Sequence, residues 1–125
     1  MRIRWTGEAC DLPAEPQTGT FITRLTSTVM SNINIYCEQP YTTPDGRRIA
    51  FWGVREGARD IFTVAREGGE AVGVTSDEAL DWNPVWSQDG KQIYFCSIRG
   101  GALFVWGIGV DTASGKAAGQ PDPVR

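Results

Sequence analysis

The stretch that decides the fold is Pro-Val-Trp-Ser-Gln-Asp-Gly-Lys-Gln-Ile-Tyr-Phe, at residues 84–95. Residues 40–51 read Pro-Tyr-Thr-Thr-Pro-Asp-Gly-Arg-Arg-Ile-Ala-Phe, so the two stretches match at a displacement of 84 − 40 = 44 residues. The match continues without a gap to Val64 and Ile108. A fixed period of this length is typical of repeat architectures, in which each unit buries its apolar face against its neighbours.

Each copy carries the local signals of an antiparallel sheet. An Asp-Gly pair, at residues 45–46 and again at 89–90, marks a tight turn between two short apolar strands. A loop containing Arg and Gly and then a third apolar strand follow in both copies, and no window shows helical periodicity. The sequence therefore predicts an all-β protein with two four-stranded antiparallel propeller blades, at residues 40–75 and 84–124.

The N-terminal part does not share this pattern. Residues 1–19 contain Pro and Gly without a sustained period, which predicts an irregular arm. Residues 20–26 read Thr-Phe-Ile-Thr-Arg-Leu-Thr, and these β-branched and aromatic types predict one strand, the outer strand of a blade whose other strands are absent. The predicted organisation is thus an arm at 1–19 and a partial propeller at 20–125.

The chain is short for a closed propeller. Its 125 residues hold about 2.8 periods (125/44), whereas closed propellers typically have about 4–8 blades. Either the chain is a fragment of a larger propeller or several copies must assemble. Because unpaired strand edges and uncovered blade flanks attract other chains, the segment is expected to self-associate when it is expressed alone.

The charge distribution limits the classes of partner. The formal net charge is −3, and Lys and Arg are scattered along the chain, so the basic patch of a nucleic-acid-binding protein is missing. No apolar stretch has the length of a signal peptide or a transmembrane helix. We therefore expect no nucleic-acid partner, no membrane insertion and, if Met1 is the natural start, a cytoplasmic protein.

The residue types needed for common chemistry are sparse. The chain has no His, and Cys10, Cys37 and Cys96 lack the spacing of metal ligands or of a disulfide framework. Cys96 is best interpreted as a small buried hydrophobe in a strand. Without His, no Ser can form the usual nucleophile pair. We predict no catalytic residue, no metal site and no cofactor, and whether this segment is an enzyme stays open, with the balance against it.

Three residues are candidates for ligand binding. Arg55 and Arg99 occupy the same position in the two copies, and a guanidinium group binds acidic ligands well; alternatively, both bridge carbonyls and carboxylates between blades. Trp82, in the polar run Asp-Trp-Asn, can stack on a sugar ring or pack between blades. Asp45 and Asp89 are interpreted as turn formers rather than as a catalytic carboxylate pair.

Residues 84–101 resemble the TolB-like β-propeller repeat. The usual form of that repeat is Pro-x-Trp-Ser-Pro-Asp-Gly-Lys-x-Ile-x-Phe-x-Ser-x-Arg-x-Gly. Gln88 replaces the usual Pro, while Pro44 retains it in the earlier copy. The resemblance covers roughly residues 20–124 and implies a propeller fold, but propellers host many functions.

A second resemblance lies upstream. Residues 18–26, then 32–36 and the Asp-Gly pair at 45–46, look like the opening of oligogalacturonate lyases, propeller enzymes that cleave pectin fragments with a metal held largely by His. None of those site residues carries over, since this chain has no His. The predicted function is a non-catalytic scaffold that binds protein or carbohydrate partners on its loop-bearing face. The alternative is the N-terminal part of a lyase-like enzyme or a propeller-gated peptidase whose active residues lie elsewhere.

Overall fold

The computed structural model describes residues 10–26, 31–33, 38–55 and 57–125. Within these ranges the strands are β1 (Cys10–Asp11), β2 (Thr23–Arg24), β3 (Asn32–Ile33), β4 (Arg48–Arg55), β5 (Ala58–Ala65), β6 (Val72–Gly73), β7 (Asp81–Trp86), β8 (Gln92–Ser97), β9 (Phe104–Gly109) and β10 (Asp122–Pro123). A single turn of 3-10 helix, Arg99–Gly101, lies in the loop before β9. Cys37 lies outside the described residues.

The strands form two four-stranded antiparallel sheets. The first sheet has the order β3-β4-β5-β6, and the second has the order β10-β9-β8-β7. Consecutive strands are neighbours in each sheet, which is the meander arrangement of a propeller blade. The prediction of an all-β fold with two four-stranded blades is confirmed.

The central strands of the two sheets share one register. Phe51 pairs with Phe62 in the first sheet, and Phe95 pairs with Trp106 in the second. Both partners are displaced by the same amount, 95 − 51 = 44 and 106 − 62 = 44. Residues at equivalent positions can therefore be compared directly between the sheets.

The Asp-Gly turns are built alike. In the second sheet, one carboxylate oxygen of Asp89 accepts hydrogen bonds from the Ser87 hydroxyl (2.6 Å) and from the Lys91 amide (3.0 Å). Gly90 has φ = 69°, the left-handed conformation that this turn needs. The same bonds recur around Asp45, and they hold the pKa of both exposed carboxyl groups below the usual range. Both residues are turn formers, as predicted.

The first sheet begins earlier than the predicted blade at 40–75. Ile33 in β3 pairs with Trp52, whereas the equivalent pair in the second sheet is Trp82 with Cys96. The displacement of the inner strand is 82 − 33 = 49 residues, so the first copy contains 49 − 44 = 5 extra residues between this strand and the turn. A comparison without gaps cannot reveal such an insertion.

The N-terminal segment also differs from the predicted pattern. The strand expected over residues 20–26 is two residues long, and it pairs with β1, inside the stretch expected to be an irregular arm. The Thr23 hydroxyl donates a hydrogen bond to Asp11 (2.7 Å), and a turn closed by the bond from the Glu15 amide to the Thr20 carbonyl (2.9 Å) connects the strands. This N-terminal ribbon of β1 and β2 supplies the strand with a partner. The division into an arm and a partial propeller stays a prediction.

The main core lies between the two sheets. Its buried members are Ala50, Ile61, Val74, Trp86, Ile93, Phe95, Ile108 and Val110. A second cluster on the opposite face of the first sheet consists of Phe51, Phe62, Val64 and Ala71, with Leu25 next to the N-terminal ribbon packed against it. Burial of these apolar side chains, worth roughly 1.5–3 kcal/mol for each large one, drives the packing of the sheets.

Polar contacts fix how the sheets are placed. The Arg48 guanidinium donates to the carbonyls of Thr112 (2.8 Å) and Ala113 (2.9 Å) in the loop that follows β9. The hydroxyl of Thr63, which is fully buried, donates to the Gly115 carbonyl of the same loop (2.9 Å). Because these donors are buried, losing their partners costs more than an exposed hydrogen bond would.

Candidate functional site

A cluster of charged side chains lies where the two sheets meet, at the end where β5 and β7 begin. It contains Asp60 at the start of β5, Asp77 in the connection between the sheets, Asp81 at the start of β7 and Arg99 after β8; we call it the junction cluster. Asp81 is 0% exposed and Asp60 only 8%. Burial of so many charges in one place requires compensating contacts.

Arg99 supplies most of that compensation. Its guanidinium group donates to Asp81 (2.6 Å) and, with two nitrogen atoms, to Asp77 (2.8 and 3.3 Å). It also donates to the hydroxyl of Ser97 (3.1 Å) and lies 5.4 Å from the ring centre of Trp106. Such charge-assisted bonds from a planar fork are strong. Arg99, predicted to bind a ligand, is therefore held by contacts within the chain.

Arg55 repeats this arrangement in the first sheet, and the partners that the described residues supply to it are neutral. Its guanidinium group donates to the side-chain oxygen of Asn32 and to the Ser31 carbonyl (3.3 Å), and it lies 4.9 Å from the ring centre of Phe62. The rings beneath the two arginines, Phe62 and Trp106, are equivalent residues of the two sheets. Ligand binding by Arg55 and Arg99 stays a prediction, and the contacts observed are structural.

Asp60 is the titratable group most altered by its surroundings. Burial is the largest cause, and the negative charges of Asp81 and Asp77 add to it; together they raise the pKa of Asp60 to about 6. The positive charge of Arg99 and a hydrogen bond with Thr75 act in the opposite direction. One carboxylate oxygen of Asp60 and one of Asp81 are buried without a hydrogen-bond partner among the described residues. A proton on Asp60 would relieve part of this repulsion.

Beside the cluster, an arginine is stacked near two indole rings. The guanidinium carbon of Arg59 lies 4.9 Å from the ring centre of Trp52 and 5.8 Å from that of Trp82. Contacts of this kind are worth about 0.5–2 kcal/mol. All three side chains are half-buried, and Arg59 forms no hydrogen bond or ion pair with any residue that the structure describes. In this indole–guanidinium stack, the N–H groups of the Arg59 guanidinium can therefore bind a ligand.

The structure thus places Trp82 next to a cation that the sequence analysis did not select. Arg59 and Asp60 do not recur in the second copy, so the repeat pattern did not indicate them. Their equivalents in the second copy are Leu103 (59 + 44 = 103) and Phe104 (60 + 44 = 104), so both positions change from charged to apolar. This change between the two copies is the sequence signal that could have indicated Arg59 and Asp60 as candidate site residues.

Within the described ranges, no three His, Cys, Asp or Glu side chains are grouped in a way that could hold a metal ion. Nor does that part of the chain contain a helix long and apolar enough to cross a membrane.

Comparison by sequence finds distant relatives, although no family model matches the chain. An uncharacterized protein of Agrobacterium fabrum is 33% identical over 72 residues, which are 58% of this chain and 25% of that protein. The uncharacterized peptidase YuxL of Bacillus subtilis is 42% identical over 55 residues, which are 43% of this chain and 8% of the peptidase. Dipeptidyl-peptidase 5 of Porphyromonas gingivalis is 33% identical over 67 residues, which are 49% of this chain and 10% of that enzyme. The chain thus spans a quarter or less of the length of these curated relatives.

Comparison with solved structures shows the fold. Oligogalacturonate lyase from Vibrio parahaemolyticus superposes with a TM-score of 0.73 at 21% identity, covering 94% of this chain and 29% of the lyase. An oligogalacturonate lyase in complex with manganese has a TM-score of 0.69 at 20% identity, covering 97% of this chain and 29% of the lyase. A TolB-like protein from Agrobacterium tumefaciens has a TM-score of 0.65 at 20% identity, covering 94% of this chain and 42% of that protein. The chain therefore has the β-propeller fold of TolB-like proteins and oligogalacturonate lyases, which confirms both resemblances at the level of the fold.

Proposed function

We propose that the chain is a non-catalytic propeller segment that binds a carbohydrate on its loop-bearing face, at the indole–guanidinium stack. The observation that carries this proposal is the placement of Arg59 near Trp52 and Trp82, with its N–H groups uncommitted among the described residues. Indole rings stack on the apolar face of a sugar, while a guanidinium group donates hydrogen bonds to hydroxyl or carboxylate oxygens. A protein partner is the other class predicted from the sequence, and the experiment below separates the two.

The direct test is a titration of the purified chain with neutral and acidic oligosaccharides, followed by tryptophan fluorescence. We expect saturable binding that Arg59→Ala weakens roughly tenfold or more, because hydrogen bonds to charged groups are the strong ones. Trp82→Ala should weaken binding by about 2- to 12-fold, the equivalent of losing one stacking contact.

The matched control is Arg66→Ala. Arg66 is exposed and pairs only weakly with its neighbour Glu67 (3.5 Å), so this variant removes the same charge far from the stack. Equal loss of affinity in the Arg59 and Arg66 variants would contradict the proposed site. Absence of binding to any oligosaccharide, together with capture of a protein through Arg59, would favour the protein class instead.

The alternative proposal is that the segment belongs to an enzyme whose active residues lie outside it. The similarity to two peptidases and to lyase structures favours this alternative over an unrelated scaffold. The manganese of the lyase neighbour has no fitting set of ligands within the described ranges. Incubating the chain with oligogalacturonates and manganese should yield no unsaturated product. Ultraviolet absorbance from such a product would contradict the non-catalytic assignment.

The remaining assignments follow from composition. We propose that neither nucleic acid nor a membrane is a partner, because the net charge is −3 and the basic residues are dispersed.

A further inference from the structure

The strand that carries Trp82 contains a β-bulge directly after that residue. Trp82 lies opposite Cys96 of β8, and Val85 lies opposite Tyr94. Between these two pairs β7 advances by 85 − 82 = 3 residues, whereas β8 advances by 96 − 94 = 2. β7 therefore holds one residue more than its partner. Bulges are frequent beside functional sites, where the extra residue changes the direction of a neighbouring side chain.

The bulge requires an unusual backbone conformation at Asn83. Its φ is 52°, the sole positive φ of a non-glycine residue among the residues that the structure describes. Asn83 also precedes Pro84, and a proline normally restricts the residue before it to extended conformations. Such a conformation persists only where the surrounding structure imposes it. The side chains of Asp81 and Pro84 are fully buried, so both ends of the bulge are anchored.

The extra residue decides on which side of the sheet Trp82 lies. Successive side chains of a strand point to opposite faces, so a slip of one residue exchanges the two faces. Without the bulge, Trp82 would lie opposite Ser97 instead of Cys96. Ser97 is 0% exposed and accepts a hydrogen bond from Arg99 (3.1 Å), so its side of the sheet belongs to the junction cluster.

The observed register serves two neighbouring residues at once. Asp81 lies opposite Ser97, and its carboxylate accepts a hydrogen bond from Arg99 (2.6 Å). Trp82 then points to the other side, where its ring centre lies 5.8 Å from the guanidinium carbon of Arg59. The bulge that follows therefore directs one residue to the junction cluster and the next to the indole–guanidinium stack.

We propose that Asn83 is the positioning residue of the indole–guanidinium stack: its left-handed backbone holds Trp82 beside Arg59, where the indole can stack on a bound sugar. Asparagine suits this role because, among residues with a Cβ, Asn and Asp adopt the left-handed conformation most readily. The role lies in the backbone and does not require the Asn83 amide to touch the ligand. The last step rests on the proposed carbohydrate binding, whereas the placement of Trp82 does not.

The test compares variants that remove the same amide but differ in backbone preference. Asn83→Gly retains access to a positive φ, whereas Asn83→Val disfavours it, because a β-branched residue is an outlier there. Asn83 is exposed, so neither change removes a buried side chain. Far-ultraviolet circular dichroism and cooperative unfolding in urea check that each variant folds. Asn83→Ala, which disfavours a positive φ less strongly than Asn83→Val, replaces it if the valine variant does not fold.

The first readout needs no ligand. Near-ultraviolet circular dichroism reports aromatic side chains that are held in fixed packing. Subtracting the spectrum of the same chain with Trp82→Phe isolates the signal of this indole from those of the other tryptophans. We expect the Trp82 signal to persist in Asn83→Gly and to be largely lost in Asn83→Val.

The second readout is the oligosaccharide titration. Asn83→Val should bind about 2- to 12-fold more weakly than Asn83→Gly, the equivalent of losing the stacking contact of Trp82. If the native chain binds no oligosaccharide, the proposed function fails, while the dichroism still decides whether Asn83 places Trp82. Equal Trp82 signals in the two variants, or equal affinities, would overturn the positioning role.

Discussion

The two sheets hold an arginine at the same position, but the described residues give it partners of different charge. Arg99 binds the buried carboxylate of Asp81, whereas Arg55 binds the neutral amide of Asn32. Both partners open the inner strand of their sheet, and both arginines lie over an aromatic ring. The recurring geometry shows that both arginines are held by contacts within the chain. The carboxylate occurs where the two blades meet, so the charge belongs to the junction and not to the repeat.

Removing the arginine should lower the free energy of unfolding more in the second sheet than in the first. Arg99→Ala leaves Asp81 buried without its counter-ion, and breaking a buried pair in this way costs about 3–5 kcal/mol of unfolding free energy. Arg55→Ala leaves the neutral amide of Asn32 without this described contact, and losing that hydrogen bond should cost about 1–3 kcal/mol. Urea denaturation of both variants measures the difference.

A double variant supplies the control. Adding Asp81→Asn to Arg99→Ala replaces the buried carboxylate with the amide that Asn32 supplies in the first sheet, and it should restore part of the lost stability, since residue 81 then no longer buries a charge without its counter-ion. If the single Arg99 variant is no less stable than the Arg55 variant, the carboxylate does not distinguish the two positions.

The buried carboxyl of Asp60 should make stability depend on pH. Its pKa rises from 3.8 to about 6 on folding, so the folded state binds the proton more tightly and protonation favours folding. This stabilisation is complete below pH 3.8 and is lost as the pH rises through about 6, a total of at most about 3 kcal/mol. Asp60→Asn should therefore gain stability over the native chain as the pH rises to 8.

The measurement is the difference in unfolding free energy between the native chain and Asp60→Asn at several pH values. Asp89→Asn is the matched control: its carboxyl is exposed and its pKa is lowered, so the variant should lack the increase between pH 4 and 7. A flat difference would show that Asp60 is not the group responsible.

The sequence predicted the parts of the structure that depend on neighbouring residues, and it did not predict the contacts between distant ones. The Asp-Gly turns and the strands β4, β5, β8 and β9 follow from turn chemistry and alternation in adjacent residues, and the sequence predicted them. The junction cluster joins Asp60 to Arg99 across 99 − 60 = 39 residues, a contact that depends on how the blades pack. The pairing of β1 with β2 has only short polar segments to signal it. The inner strand β3 was hidden by the five-residue insertion.

The two Asp-Gly turns differ in how closely other atoms approach their glycines. Gly46 and Gly90 both have positive φ, 68° and 69°, so an alanine in either position should cost about 1–2 kcal/mol from backbone strain alone. A Cβ on Gly46 would meet no atom within 4 Å, whereas one on Gly90 would lie 2.8 Å from the ring of Pro44. Gly90→Ala should therefore destabilise more than Gly46→Ala in thermal unfolding. Equal melting temperatures would mean that the two turns are not in contact.

The smallest expected effect comes from restoring the residue in which the two turns differ. Pro44 precedes Asp45, while Gln88 stands at the equivalent position, is exposed and donates no backbone hydrogen bond within the described residues. The surrounding bonds are the same in both turns, from the Thr43 amide to the Arg48 carbonyl and from the Ser87 amide to the Gln92 carbonyl (2.9 Å each). Gln88→Pro should therefore fit without strain and stabilise the chain by about 0.4–1 kcal/mol, because proline restricts the unfolded state. The converse variant, Pro44→Gln, should lose a similar amount together with the contact to Gly90. A destabilised Gln88→Pro chain, measured by urea denaturation, would show that the backbone of the second turn differs from that of the first.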